Sequence, residues 1–461
     1  MLTEVKKENK MGVMPVNRLL ISMSVPMMIS MLVQALYNIV DTIFVSSLGQ
    51  DALTALSLAF SLQNLMIAVA VGTGVGVNAL LSKSLGAKEY DRANKAATNG
   101  IFLAVCSAVV FMFIGFFLTE PYFRMFGSSE QVVKYGSTYL SICCTLSVGI
   151  FGQVMFERLL QATGRTIFAM TTQLIGAIIN IIMDPILIYG YFGFPEMGVA
   201  GAAVATVAGQ IIAFCCAIFF NYKFNPEIQV KVKDFRPDRK IIGKIYSVGI
   251  PSIAMGSIGS VMNAGINQIV RLCGNVAETA QAVFGLYFKI QSFIFMPVFG
   301  LNNGMVPIIA YNYGARNRER MTKTIKLSVT YACIMMFIGL LLFQLIPEQL
   351  LSIFNTGNEA DMAAIMAIGV PALRRISLSF VFAGFCIVIL SVFQALGHGV
   401  LSLLTSLLRQ LGVLLPAAFI IALTTRSVEA MWFAFPIAEL AAVILSAIFL
   451  RCVYKKEIKN L

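Results

Sequence analysis

The sequence is divided into apolar runs of roughly 20 to 30 residues, separated by short stretches that hold most of the charged residues. About 20 consecutive apolar residues are enough for an α-helix to cross the hydrocarbon core of a membrane. Of the 461 residues, 58% are hydrophobic and only 12% are charged. A chain of this composition cannot cover itself with polar surface in water. The pattern therefore predicts an all-α membrane protein.

The apolar runs predict twelve transmembrane helices. We place them at 17–46, 52–81, 96–119, 137–160, 167–190, 199–221, 242–272, 279–310, 325–346, 364–395, 400–424 and 429–450. The longest of these can tilt or extend beyond the bilayer.

The basic residues lie mostly on one side of these spans. With the N-terminus placed inside, the cytoplasmic segments hold 26 of the 34 Lys and Arg residues, and the outer segments hold six. Cytoplasmic loops of membrane proteins carry such an excess. We therefore expect a multi-pass protein of the cell inner membrane with both termini in the cytoplasm. The net charge of +12 is explained by these loops, so no nucleic-acid partner is expected.

The two halves of the sequence resemble each other in order and spacing. Pro26 and Pro251 head corresponding spans, and a glycine pattern recurs later in each half. The matching segments are Gly72-x3-Gly76-x9-Gly86-Ala87 and Gly300-x3-Gly304-x9-Gly314-Ala315.

Each half holds six spans, so both copies insert with the same orientation. This predicts a parallel repeat about an axis normal to the membrane, a plan found in transporters. We predict an N-terminal lobe over 1–221, a cytoplasmic linker over 222–241 and a C-terminal lobe over 242–461.

Several segments carry a resemblance to the multidrug and toxic compound extrusion (MATE) transporters. They are Pro26…Gln34-x2-Tyr37-Asn38-x2-Asp41, Gly72…Gly86-Ala87, Asn180-Ile-Ile-Met-Asp184-Pro185 and Gly198-Val-Ala-Gly201-Ala202-Ala203-Val-Ala-Thr206. The resemblance implies two six-helix lobes in a V shape. It also implies export of mostly cationic, amphipathic compounds in exchange for entering Na⁺ or H⁺.

Within that family the chain looks most like the DinF-like branch, in which the coupling carboxylates lie in the N-terminal lobe. Other branches place a glutamate in the seventh span. Here that span offers Asn263, Asn267 and Gln268 but no carboxylate.

Two acidic residues, Asp41 and Asp184, lie within predicted spans of the first half. A charge at the centre of a bilayer costs about 2.5–3.5 kcal/mol on insertion scales, so such residues usually face a cavity or a partner. Neither has an obvious basic partner in its own half. The pair therefore favours either a bound proton or a bound Na⁺.

Other polar residues share helix faces with these carboxylates. Asn180 lies one turn before Asp184, and Ala202 lies one turn before Thr206. The resemblance implies that these four and Asp41 form the cation-coupling site, with Asp41, Asn180 and Asp184 as Na⁺ candidates. The alternative is that the polar members only bond neighbouring helices.

A second group is expected to line the substrate cavity. Gln34, Tyr37 and Asn38 share the face of Asp41, although they can equally form interhelical hydrogen bonds. In the second half, Glu439 is open to two interpretations. It either takes part in substrate or proton binding, or it forms an internal ion pair with Arg409 or Lys289.

The sequence thus predicts a secondary transporter that exports drugs or toxic organic cations. We expect a monomer in contact with membrane lipids, with H⁺ or Na⁺ as the coupling ion and no other cofactor. An alternative is a flippase for lipids or lipid-linked oligosaccharides, for which Lys289, Arg409 and Arg374-Arg375 would supply a cationic groove. A membrane-embedded enzyme has no support, because the chain has no HExxH, GxSxG or Walker motif.

Overall fold

The computed structural model describes residues 8–127, 129–230, 235–354, 359–459 and 461. Residues 1–7 of the predicted first lobe and 231–234 of the predicted linker lie outside these ranges. The regular elements of the described residues are all helices. In an α-helix the backbone N–H and C=O groups form hydrogen bonds with each other within one segment. This is required in lipid, because lipid offers these groups no hydrogen-bond partners.

The first half of the chain forms nine α-helices within the described residues, and a short 3₁₀ helix, Tyr191–Gly193, follows the eighth. They are α1 (Lys10–Val13), α2 (Val16–Ser46), α3 (Gln50–Gly86), α4 (Tyr90–Phe117), α5 (Thr119–Met125), α6 (Glu130–Thr145), α7 (Val148–Ala162), α8 (Thr166–Tyr189) and α9 (Val199–Phe224).

The second half forms ten α-helices within the described residues. They are α10 (Arg239–Val270), α11 (Ala277–Gly314), α12 (Arg318–Leu345), α13 (Pro347–Ser352), α14 (Glu359–Ser377), α15 (Phe380–Leu396), α16 (Gly399–Leu407), α17 (Leu415–Thr425), α18 (Val428–Met431) and α19 (Ala434–Val453). A π-helical segment, Leu408–Leu414, joins α16 to α17.

Twelve spans result when two bent helix pairs are each taken as one crossing. Ten spans are unbroken or nearly so in the described residues. The pair α6 and α7 is bent by 46°, and the pair α14 and α15 is bent by 50°. The two bends fall in the fourth span of each half. The all-helical, twelve-span prediction is confirmed, and the bend is a shared feature of both copies that the apolar pattern does not reveal.

The first long helix of each half packs against the opposite half. Helix α2 lies between α8 of its own half and α11 of the other. Helix α10 lies in the equivalent way between α16 and α3. These crossings follow the internal repeat of the sequence, while the bounds of the two lobes stay a prediction.

The repeated glycines make these crossings possible. A Cβ atom on Gly76 of α3 would lie 2.1 Å from the Ile245 carbonyl oxygen of α10. A Cβ atom on Gly300 of α11 would lie 2.4 Å from Cα of Met28 on α2. Side chains larger than hydrogen would therefore push the helix backbones apart.

The ends of α3 and α11 meet reciprocally. A Cβ atom on Gly86 would lie 1.8 Å from the Tyr311 carbonyl oxygen, and one on Gly314 would lie 2.0 Å from the Lys83 carbonyl oxygen. Both contacts are equivalent under the repeat. The pseudo-two-fold axis therefore passes between these two helix ends.

Gly300→Ala should destabilise the protein because the new methyl group meets the backbone of α2. We expect a cost of about 1–3 kcal/mol and a lower midpoint temperature for loss of monodispersity in detergent. Gly285→Ala, on the same helix, is the matched control because nothing lies within 4 Å of its Cβ position. Equal midpoints for the two variants would contradict the proposed backbone contact.

Candidate polar site in the first half

Small residues bring α8 and α9 close together. A Cβ atom on Gly209 of α9 would lie 2.7 Å from the carbonyl oxygen of Gly176 on α8. Further along, a Cβ atom on Gly201 would lie 2.5 Å from the Leu187 carbonyl oxygen. The close approach allows short polar side chains of the two helices to meet directly.

Asn180, Asp184 and Thr206 form one hydrogen-bonded group at this crossing. The Asn180 side-chain amide donates to Thr206 Oγ1 at 3.3 Å and to Asp184 Oδ1 at 3.5 Å. Asp184 is fully buried, and Asn180 and Thr206 are 3% and 6% exposed. The structure thus brings together three of the residues predicted for cation coupling.

Three oxygen atoms of the predicted cation site have no hydrogen-bond partner among the described residues. They are Asp41 Oδ1, Asn180 Oδ1 and Asp184 Oδ2, and each is buried at the atomic level. Buried acceptors that lack a donor are costly and uncommon in proteins. Oxygen ligands of this kind fit a hard cation, and the carboxylate oxygens can also bind a proton.

Asp41 lies on α2, across from Asp184 on α8. The two carboxylates are near enough for their charges to act on each other. None of the ion pairs in the described part of the chain involves either residue. Two acidic groups without a basic partner need a cation or a proton to offset their repulsion.

A polar cavity of about 160 Å³ opens beside this site in the first half. Asn180 and Thr206 reach its wall, so the cavity and the site share a boundary. Its other polar lining residues are Ser30, Gln34, Tyr37, Gln63, Gln153, Glu157, Arg158, Gln161, Gln173, Gln210 and Asn303.

Glu157 is a buried carboxylate in the cavity wall, with 3% exposure. Its two oxygens accept hydrogen bonds from the side-chain amides of Gln153, at 3.0 Å, and Gln173, at 2.9 Å. None of the ion pairs in the described ranges includes Glu157. Its remaining acceptor capacity is available to a group within the cavity.

Two of the three residues predicted from the Asp41 face line the cavity. Gln34 and Tyr37 lie in its wall, and Asn38 does not. Ala202 is fully buried on α9, one turn before Thr206. Its side chain is a methyl group, so any part it has in cation binding runs through packing or its backbone.

Glu439 lies away from this cavity, in the second half. It accepts a hydrogen bond from the Arg409 guanidinium at 3.1 Å, and both side chains are largely buried. Glu439 therefore forms an internal ion pair, and its partner is Arg409 rather than Lys289. Glu439 does not line the cavity that Gln34 and Tyr37 line, and its part in substrate or proton binding stays a prediction.

Most of the amides in the cavity wall were not singled out from the sequence. Gln153, Glu157 and Gln161 recur at four-residue intervals on α7, which puts them on one helix face. That spacing was a usable signal. No spacing along α7 could indicate Asn303, because this residue lies on α11 in the second half of the chain and lines the cavity only once the two halves pack.

Twelve spans in two equivalent halves, with a polar cavity beside buried carboxylates, define a polytopic membrane transporter. The MatE family model matches residues 26–186 and 260–420, one match in each half. The chain therefore belongs to the MATE family of transporters, and the expected family resemblance is confirmed.

Relatives and solved structures agree with this assignment. The multidrug export protein MepA of Staphylococcus saprophyticus is 26% identical over 398 residues, which cover 86% of this chain and 85% of the relative. MepA of Staphylococcus aureus strain MSSA476 is 25% identical over 409 residues, covering 88% and 87%.

Two solved structures are similar over nearly the whole chain. A MATE structure in complex with MaL6 has a TM-score of 0.92 at 25% identity and covers 99% of this chain and 100% of its own. A transporter of the MOP superfamily from Pyrococcus furiosus has a TM-score of 0.89 at 25% identity, covering 98% and 99%.

Removing one partner of the Arg409–Glu439 pair should destabilise the second half. Arg409→Met or Glu439→Gln leaves a buried group unpaired, and we expect each to cost about 3 kcal/mol. The double variant should recover most of this loss, because neither charge then remains. Unfolding midpoints in detergent measure all three. Singles as stable as the parent chain would contradict a buried, mutually dependent pair.

Proposed function

We propose that this chain is a secondary multidrug exporter that moves organic cations out of the cell in antiport with H⁺ or Na⁺. The observation that carries the proposal is the group of three unpartnered buried oxygens on Asp41, Asn180 and Asp184. Asn180 also lines a cavity large enough to admit part of an organic molecule. The inner membrane as location and the cytoplasmic placement of both termini belong to the same proposal.

The cavity supports a cationic, amphipathic substrate. Glu157 presents a carboxylate held by two neutral amides, so its charge is not cancelled by an ion pair in the described residues. Met31, Val33, Ile67 and Val154 supply apolar surface beside it. Small-molecule sites combine apolar surface with polar groups at fixed positions, and this cavity has both. The multidrug export proteins named MepA are consistent with such a substrate range.

Exchange requires the coupling ion and the substrate to favour different states of the protein. A ligand shifts a conformational equilibrium only through a difference in its affinity for the two states. Binding of H⁺ or Na⁺ between α2 and α8 offsets the repulsion of Asp41 and Asp184 and lets these helices pack closer. Asn180 and Thr206 touch both the ion site and the cavity, so they give this change a route to the substrate.

Asp184→Asn and Asp41→Asn should each abolish gradient-driven export, because the amide neither takes up a proton nor carries the negative charge. Ethidium efflux from proteoliposomes is expected to fall to the level of protein-free liposomes. Asp51→Asn is the matched control, since Asp51 is exposed at the start of α3. Export by Asp184→Asn at the rate of the control would refute the coupling role.

The coupling ion is identified by imposing one gradient at a time on the same proteoliposomes. We expect efflux with either a proton gradient or a Na⁺ gradient, and loss of that response in Asp184→Asn. Efflux that needs neither gradient would contradict antiport.

The structure gives less support to the flippase alternative. Arg409 is paired with Glu439, and Arg375 is paired with Glu429 at 2.8 Å. Lys289 is exposed and lies 5.9 Å from the centre of the Phe354 ring. Two of the cations expected to line a groove for anionic lipid groups are thus engaged with carboxylates.

A further inference from the structure

Arg158 forms a hydrogen bond between the two halves at the wall of the cavity. Its Nη1 atom donates to Gln161 Oε1 and to Asn303 Oδ1, each at 2.9 Å. Gln161 lies on α7 with Arg158, whereas Asn303 lies on α11 of the second half. All three residues line the cavity.

The guanidinium is buried but is held by neutral groups. Arg158 is 9% exposed, and no ion pair of the described residues includes it. The neighbouring Glu157 is bonded to Gln153 and Gln173 instead. An arginine to amide bond is weaker than an arginine to carboxylate pair. The contact between the halves is therefore strong enough to form and weak enough to break.

The surrounding backbone directs this side chain towards α11. A Cβ atom on Gly74 of α3 would lie 2.7 Å from Arg158 Cγ, so only glycine leaves room for the arginine stem. On α11, Asn303 lies between Gly300 and Gly304, whose backbones press against α2. The bond thus lies at a helix crossing between the halves.

We propose that Arg158 is a positioning residue whose bond to Asn303 holds the α7 wall of the cavity against the second half. The bond breaks each time the cavity opens on that side and forms again when it closes. This inference rests on the proposed transport function, because only a protein with alternating access needs a reversible contact here. The Arg158–Asn303 contact sets the rate of the conformational step, whereas ion coupling depends on Asp41 and Asp184.

Asn303→Asp tests the proposal by changing the acceptor from an amide to a carboxylate of the same shape. The resulting ion pair should hold the halves together, so turnover should fall about 10-fold, the factor that 1.4 kcal/mol represents. Because Asn303 lines the cavity, the equilibrium affinity for ethidium in detergent is measured for the same variant, and the fall of about 10-fold is expected in turnover at saturating ethidium.

Turnover is measured as ethidium counterflow, with ethidium on both sides of the proteoliposome membrane and no ion gradient. Counterflow needs alternating access but no coupling ion. Failure of the antiport mechanism therefore shows as loss of gradient-driven efflux with counterflow intact. Absence of counterflow in the parent chain would overturn the transport function and this inference with it.

The double variant Arg158→Gln with Asn303→Asp guards against a simple folding defect. It keeps the new carboxylate but removes the cation, so turnover should recover to at least half of the parent value. Slow turnover in both Asn303→Asp and the double variant would overturn the proposal. Turnover by Asn303→Asp at the parent rate would overturn it as well.

Discussion

A carboxylate within a membrane-spanning helix must face a cavity, a cation or a polar partner, and this constraint organises the first half of the molecule. Asp184 is fully buried, and Asp41 and Asp184 have no basic partner among the described residues. Lipid surroundings would penalise such charges by several kcal/mol. Asn180 lies one turn before Asp184 on α8, and the close crossing of α8 and α9 adds Thr206 as its hydrogen-bond partner. Both Asn180 and Thr206 line the cavity.

The same crossing principle joins the two halves. Glycines repeated in each half let α3 meet α10 and let α11 meet α2 with their backbones in near contact. Contacts of this kind depend on shape rather than on strong bonds. Such contacts allow one half to move against the other along the seam, which is the surface where α3 meets α10 and α11 meets α2. The Arg158–Asn303 hydrogen bond is a polar contact on that seam, and it is made from neutral acceptors.

The number of spans and the internal repeat could be predicted from the sequence, because a helix that crosses lipid needs about 20 consecutive apolar residues. Apolar run lengths gave twelve spans, and the match between the glycine segments gave the repeat. Asp41 and Asp184 stood out because a carboxylate in an apolar run is unusual. The bend between α6 and α7 is not predicted, because an apolar run indicates that a segment crosses the membrane but not whether it crosses straight. The partners of Glu439 and Arg158 depend on which helices become neighbours, which no local pattern records.

We propose that the Asp41–Asp184 site and the cavity compete through one conformational equilibrium. Calorimetric titration of the purified protein with ethidium, in buffers of different ionisation enthalpy and with or without Na⁺, measures this directly. Binding should release protons or weaken as Na⁺ rises, and Asp184→Asn should remove that dependence. Ethidium affinity that is independent of pH and Na⁺, with no proton released, would contradict the account.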